Sequence, residues 1–154
     1  MTQIHDPLKK SGFVADYLLY LLAAASDSAS AEFHKQVRLE GLRVPEWRVL
    51  AGLYDQDGMM VTQLAKISLT EQSRLTHIIA QMEKRGLVQR CGDPEDRRRV
   101  RVHFTDEGKR IADILVAKAR KHEENLLEAL QDGDSSRLKP VLRDLLKKLE
   151  TWPK

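Results

Sequence analysis

The stretch that most constrains this chain is residues 86–108, which read G-L-V-Q-R-C-G-D-P-E-D-R-R-R-V-R-V-H-F-T-D-E-G. Two segments of strand character, 87–90 and 100–104, flank Gly92-Asp93-Pro94-Glu95-Asp96, which is turn chemistry. In the second segment Val100, Val102 and Phe104 alternate with Arg101 and His103, which predicts an inward apolar edge and an outward polar one. Thr105 then stands where it can cap a helix, with Asp106 and Glu107 in the first turn. Arg97, Arg98 and Arg99 fall at the hairpin tip. Like charges crowded on so small a radius repel one another unless an anion relieves them. Asp93, Glu95 and Asp96 are close enough in sequence to help, and Asp96 is expected to neutralise one arginine and fix the loop while the others face outward.

The remainder reads as helices. Ser11 is placed to cap a first helix reaching about Leu39, whose front half (Val14, Tyr17, Leu18, Leu21, Leu22, Ala23 to Ala25) is apolar nearly all round. Such a helix has to be covered on more than one side. Gly41 ends it and Pro45 opens the next, which runs to about Gln56 on a stripe of Trp47, Leu50, Leu53 and Tyr54. Asp57-Gly58 is a turn signal. A short helix over 61–67 and a longer one over 71–85 follow, joined by Ser68-Leu69-Thr70 with Thr70 as the expected N-cap. Leu75, Ile78, Ile79 and Met82 recur at i, i+3, i+4, i+7, one buried face, and Gly86 stands at the C′ position. After Thr105 a long helix carries Ile111, Leu115, Ala119, His122, Leu126 and Leu130, more length than a small domain can cover. Asp132-Gly133-Asp134 breaks it. A last helix shows Leu138, Val141 or Leu142, Leu145, Leu149 and Trp152, with Pro140 near its start or kinking it.

Composition excludes several classes. With 154 residues, the chain suits one compact domain or the subunit of a small obligate dimer. The longest mostly apolar run, 13–25, is interrupted by Asp16 and falls short of the roughly 20 residues a membrane span needs. Residues 1–10 are polar and lack a cleavage-site pattern, which predicts no secretory leader and a cytoplasmic protein. One cysteine, Cys91, excludes an internal disulfide framework and reads as an inert strand residue rather than a redox sensor. Five scattered histidines give no zinc spacing. No phosphate-loop, dinucleotide or nucleophile-elbow motif is present, so no catalytic residue, metal or cofactor is assigned and an enzyme is not expected. The net charge of +3 is modest, and its distribution carries the information.

The helices at 61–67 and 71–85 have helix-turn-helix proportions. With the apolar face of the second buried, Gln72, Ser73, Arg74, Thr76 and His77 are left near its exposed N-terminal end. These side chains suit base edges and phosphates in a major groove. A narrow minor groove would attract the arginines of the hairpin. Phe33, His34, Arg38, Trp47 and Arg48 fall where the first helix ends and the second begins. Arg38 or His34 could hold a carboxylate while Trp47 packs on a ring, although Phe33 and Trp47 also read as plain core.

In this order of elements the chain resembles the MarR family of bacterial transcriptional regulators. Leu75-Thr76-His77-Ile78-Ile79 with Met82-Glu83-Lys84-Arg85-Gly86-Leu87-Val88 is similar to the family's recognition helix running into its wing. Asp93 to Arg98 and Val100 to Gly108 resemble the wing signature, an Asp-x-Arg pair (Asp96 and Arg98 here) and a terminal Leu-Thr-x-x-Gly in which Phe104 replaces the leucine. The resemblance implies a mainly α fold with a small β wing. It implies a winged helix-turn-helix lobe over 45–108 and dimerisation helices over 11–42 and 109–154. It further implies a homodimer on a pseudo-palindromic double-stranded DNA operator, and a repressor released by a small phenolic or aromatic carboxylic effector. The oxidant-sensing members use a cysteine near the N-terminus, which this chain lacks. Two other readings stay open, a winged-helix protein–protein interaction module and a non-specific architectural DNA binder.

Overall fold

The computed structural model describes residues 12–130 and 133–152. Seven helices and three strands follow in the order α1 (Phe13–Asp16), α2 (Leu18–Leu39), α3 (Val44–Asp55), β1 (Met59–Met60), α4 (Val61–Ile67), α5 (Gln72–Lys84), β2 (Val88–Gly92), β3 (Val100–Phe104), α6 (Asp106–Glu128) and α7 (Asp134–Glu150). The mostly helical expectation with one β excursion holds. The chain forms two compact units, one reaching to Leu115 and the other starting at Val116.

In the first unit the core gathers side chains from every element between α2 and the start of α6. Phe33 and Val37 come from α2, Val49, Leu50 and Leu53 from α3, and Leu64 from α4. Leu75, Ile78, Ile79 and Met82 of α5 are all buried, as their spacing predicts. Met59 of β1, Val88, Val102, Ile111 and Leu115 belong to it as well. The expected first helix is divided: Tyr17 leaves helical geometry (φ −81°, ψ 117°) and separates α1 from α2. The cap expected at Ser11 lies outside the described residues. On the apolar front of α2, Leu18, Leu19 and Leu21 are exposed.

The sheet has three strands in the order β1-β3-β2, one more than the sequence suggests. Two residues, Met59 and Met60, pair antiparallel with Val102 and Arg101. A strand so short leaves no periodicity to read. β2 and β3 pair antiparallel from Val88↔Phe104 to Gly92↔Val100. Val100 shares the inner face with the fully buried Val102, yet it is exposed. The alternation is right in phase, but β3 runs out past the helices that cover its base. Nor is Arg101 simply outward: its Nε donates to Asp93 Oδ2 at 2.6 Å and its Nη1 to the Gly58 carbonyl at 3.0 Å.

Three helix ends close alike. After α2, Gly41 N donates to Arg38 O and Leu42 N to Val37 O. Gly86 and Leu87 repeat this after α5, and Leu69 and Thr70 after α4. The residue at C′ must take a left-handed backbone, and Leu69 does so at φ 50° in place of a glycine. Thr70 does not cap α5 as expected. Its hydroxyl turns back to the Ser68 carbonyl at 3.0 Å, and Glu71 becomes the N-cap, accepting from Ser73 N. Thr105 holds its expected place, donating to the Gly86 carbonyl at 2.6 Å and accepting from Gly108 N at 3.0 Å.

The second unit holds the rest of α6 and α7. α6 has no buried residue beyond Leu115, and α7 has none at all. Gly133 precedes α7, which starts well before Pro140 and includes it. Leu138, Val141, Leu146, Leu149 and Trp152 are exposed.

Candidate nucleic-acid interface

Two elements of the first unit carry the candidate contacts. On α5, burial of the apolar face turns Gln72, Ser73, Arg74, Thr76 and His77 outward, and all five are exposed. They are not equally free. The Ser73 hydroxyl donates to the Glu71 carboxylate, and the Thr76 hydroxyl to the Gln72 carbonyl at 2.9 Å. Glu71 is held below the ordinary glutamate range by those Ser73 donors, so a fixed negative charge stands at the start of the helix. Among the described residues, the Arg74 guanidinium has no ion-pair partner, although its backbone N–H contributes to holding Glu71.

The wing is built on Asp93, which is buried. Its Oδ1 accepts the backbone N–H groups of Glu95 (2.8 Å) and Asp96 (3.3 Å), and its Oδ2 accepts from Arg101. The Glu95 N–H does most to hold the Asp93 carboxyl below the usual range, with Arg101 adding to it against the cost of burial. Arg101 in turn reaches Gly58, so the wing is tied to the turn after α3. Asp96 accepts the backbone N–H of Arg98 at 3.0 Å and lies 3.4 Å from Nε of Arg99. It therefore shapes the loop and pairs with one arginine of the three. Arg97 and Arg98 are exposed and have no ion-pair partner among the described residues.

Between α5 and the wing lies a groove of about 510 Å³, with Gln72 and Thr76 on one side and Arg98 and Arg99 on the other. Arg90 also lines it. Cys91 is exposed on β2. No cluster of three metal-ligating side chains occurs among the described residues, and no described helix is long and apolar enough to cross a membrane.

A buried carboxylate fixes the far end of α5, and the sequence reading missed it. Glu46 is inaccessible to solvent. It accepts from Arg43 N (2.8 Å), Arg43 Nη2 (2.9 Å) and Arg85 Nη1 (3.0 Å), while Arg85 Nη2 donates to the Gly41 carbonyl at 2.6 Å. Burial pushes the Glu46 carboxyl up, but the donors from Arg43, with the charges of Arg43 and Arg85, outweigh it and hold it below the ordinary range. A carboxylate three residues after an N-cap was the available signal. Its long-range partner Arg85 leaves no local trace.

The other candidate cluster also assembles in part. Phe33 is buried and meets Trp47 edge to face, with ring centroids 5.3 Å apart. His34 stands beside Arg38 and Arg48, and its pKa is lowered by burial first and then by those two charges. Arg48 also donates to the Ser68 carbonyl at 3.2 Å, in the turn between α4 and α5.

Comparison with known proteins agrees with this architecture. The MarR family pattern matches residues 42–100. A MarR family transcriptional regulator from Silicibacter pomeroyi DSS-3 is 59% identical, with a TM-score of 0.82 over 90% of this chain and 98% of that one. CouR from Rhodococcus jostii RHA1, solved bound to p-coumaroyl-CoA, is 25% identical with a TM-score of 0.77 over 94% of this chain and 99% of that one. The HTH-type transcriptional repressor IacR of Pseudomonas putida is 25% identical over 96% of this chain and 88% of its own. These relatives are regulators and not enzymes. On its fold, its wing and this degree of identity, the chain belongs to the MarR family of DNA-binding transcriptional regulators.

Proposed function

We propose that this regulator is a homodimeric, sequence-specific repressor of a pseudo-palindromic operator. In this reading Gln72, Ser73, Arg74, Thr76 and His77 enter a major groove, while Arg97, Arg98 and Arg99 enter the adjacent minor groove. The lobe over 45–108 reads DNA, and the helices over 11–42 and 109–154 join two copies. The observation that carries it is a groove with the polar Gln72 and Thr76 of α5 on one side and the wing's Arg98 and Arg99 on the other, beside a wing tip where the guanidinium groups of Arg97 and Arg98 have no ion-pair partner among the described residues. A face made for protein would instead show exposed aromatic or aliphatic side chains. The exposed apolar residues of α1, α2 and α7 support self-association.

The effector is a small aromatic carboxylate or aromatic acyl compound held by Phe33, His34, Arg38, Trp47 and Arg48. CouR supports this class of ligand, since it was solved with an aromatic acyl thioester. The contact from Arg48 to Ser68 links that cluster to the helix-turn-helix turn. Two reading heads must stand about one helical turn, ~34 Å, apart. A ligand that favours another spacing lowers DNA affinity by its differential affinity for the two states. Selection from a random-sequence duplex pool at moderate salt tests the reading. A recovered palindrome with half-sites about one turn apart is expected. Salt-sensitive but sequence-blind retention would mean an architectural binder, and no retention would mean a protein-interaction module.

A further inference from the structure

The groove between α5 and the wing holds a third arginine, which neither the recognition face nor the wing tip explains. Arg90 lies on β2 two residues after the buried Val88, so both share the inner face of the sheet. There it meets Glu83 of α5. Arg90 Nη2 is 2.7 Å from Oε2 of Glu83, Nε is 2.8 Å from the same oxygen, and the Arg90 backbone N–H donates to Oε1 at 2.9 Å. The two side chains are only partly exposed, Arg90 at 39% and Glu83 at 32%. Met60, Ile79 and Val100 line the groove together with Arg90, while Glu83 borders an adjoining smaller hollow that Arg90 and Val100 also line.

A recognition helix in a major groove and a wing in the neighbouring minor groove leave one path for the DNA strand that separates the two. It must cross between helix and wing, and this groove lies there. We propose that the groove is a seat for that phosphodiester strand, and that Arg90 is its cation. Glu83 holds it in the free protein and yields it to a backbone phosphate when DNA binds. The inference rests on the DNA-reading function proposed above. Glu83 is a genuine competitor for the guanidinium. The Arg90 backbone N–H, and then its guanidinium, hold the Glu83 carboxyl below the ordinary range, so it is charged at neutral pH. When Arg90 turns to a phosphate, the backbone N–H still satisfies one Glu83 oxygen.

The test is fluorescence anisotropy of the full chain on a labelled duplex across a salt series, with Glu83→Gln, Arg90→Gln, Arg90→Lys and the double variant Glu83→Gln/Arg90→Gln. Arg90→Gln is expected to make the salt slope shallower by about 0.9, the value of one phosphate contact. Arg90→Lys retains the slope. Glu83→Gln tightens binding about two- to five-fold, as loss of an exposed competing ion pair would. That gain disappears in the double variant, since it needs Arg90. A lower melting temperature for Arg90→Gln with an unchanged slope would overturn the seat. A gain from Glu83→Gln that persists without Arg90 would show simple repulsion of DNA and overturn the exchange. If the wild-type chain binds no duplex at any salt, the underlying function fails and the seat falls with it.

Discussion

Arg98 and Asp96 divide the work of the wing at the level of single atoms. Asp96 uses its carboxylate on the Arg98 backbone and the Arg99 side chain, and the Arg98 guanidinium has no ion-pair partner among the described residues. Arg98→Ala is expected to weaken binding to every duplex and to flatten the salt slope by about 1, as anisotropy across a salt series would read. Gln72→Ala and His77→Ala are expected to relax preference at particular base pairs, read by repeating the duplex selection with each variant. Glu46 acts on stability. Its depressed pKa gives a contribution that is full above the ordinary glutamate value of 4.5 and drains away as pH falls through the lower folded value. Glu46→Ala should cost about 2 kcal/mol at pH 7, a moderate figure because Arg43 and Arg85 are both half exposed and can return to water. The gap from wild type should narrow below pH 4.5 in denaturant titrations. At this scale the exposed face of α5 and the wing arginines were legible, because burial of a periodic apolar face determines what remains outside. Glu46–Arg85 and Glu83–Arg90 were not legible, since nothing in the spacing of two charges says that they meet.

At the level of elements, helix ends decide where the reading face begins and stops. Leu69 takes the left-handed turn between α4 and α5 with its side chain exposed, so it gains no packing for the strain. Leu69→Gly is expected to stabilise the fold by about 0.5–1 kcal/mol, the relief of strain less the looser unfolded chain. A lower melting temperature would contradict this account of the turn. Gly108 has a different reason to be glycine: a Cβ there would fall 1.8 Å from the Leu87 carbonyl oxygen. Gly108→Ala therefore has to displace the start of α6 from β2 and should lower the melting temperature by much more than a surface substitution. Helix α4 was read from the sequence to the residue and β3 likewise. The cap of α5 was misplaced by one residue, because Thr70 and Glu71 both offer a side-chain oxygen and only the path of the chain decides which one meets the helix N–H groups.

For the whole molecule, the exposed apolar side chains of α1, α2 and α7 are what the proposed second copy would cover. Phe13, Val14, Leu18 and Leu19 in the first unit, and Val141, Leu146, Leu149 and Trp152 in the second, face water in the single chain. Sedimentation equilibrium is expected to return twice the chain mass of 17.6 kDa. Val141→Glu with Leu149→Glu should return a monomer that has lost operator affinity and keeps a folded reading lobe. In the sequence the same expectation of a partner rests on a first helix whose front half is apolar nearly all round and on a later helix too long for its domain. Hydroxyl-radical footprinting on the selected operator tests most directly whether two copies read DNA with helix and wing together. The expected pattern is protection symmetric about the operator centre, repeated about one helical turn apart, with its outermost minor-groove segments lost in Arg98→Ala. A single unsymmetric patch, or one that Arg98→Ala leaves unchanged, would contradict it.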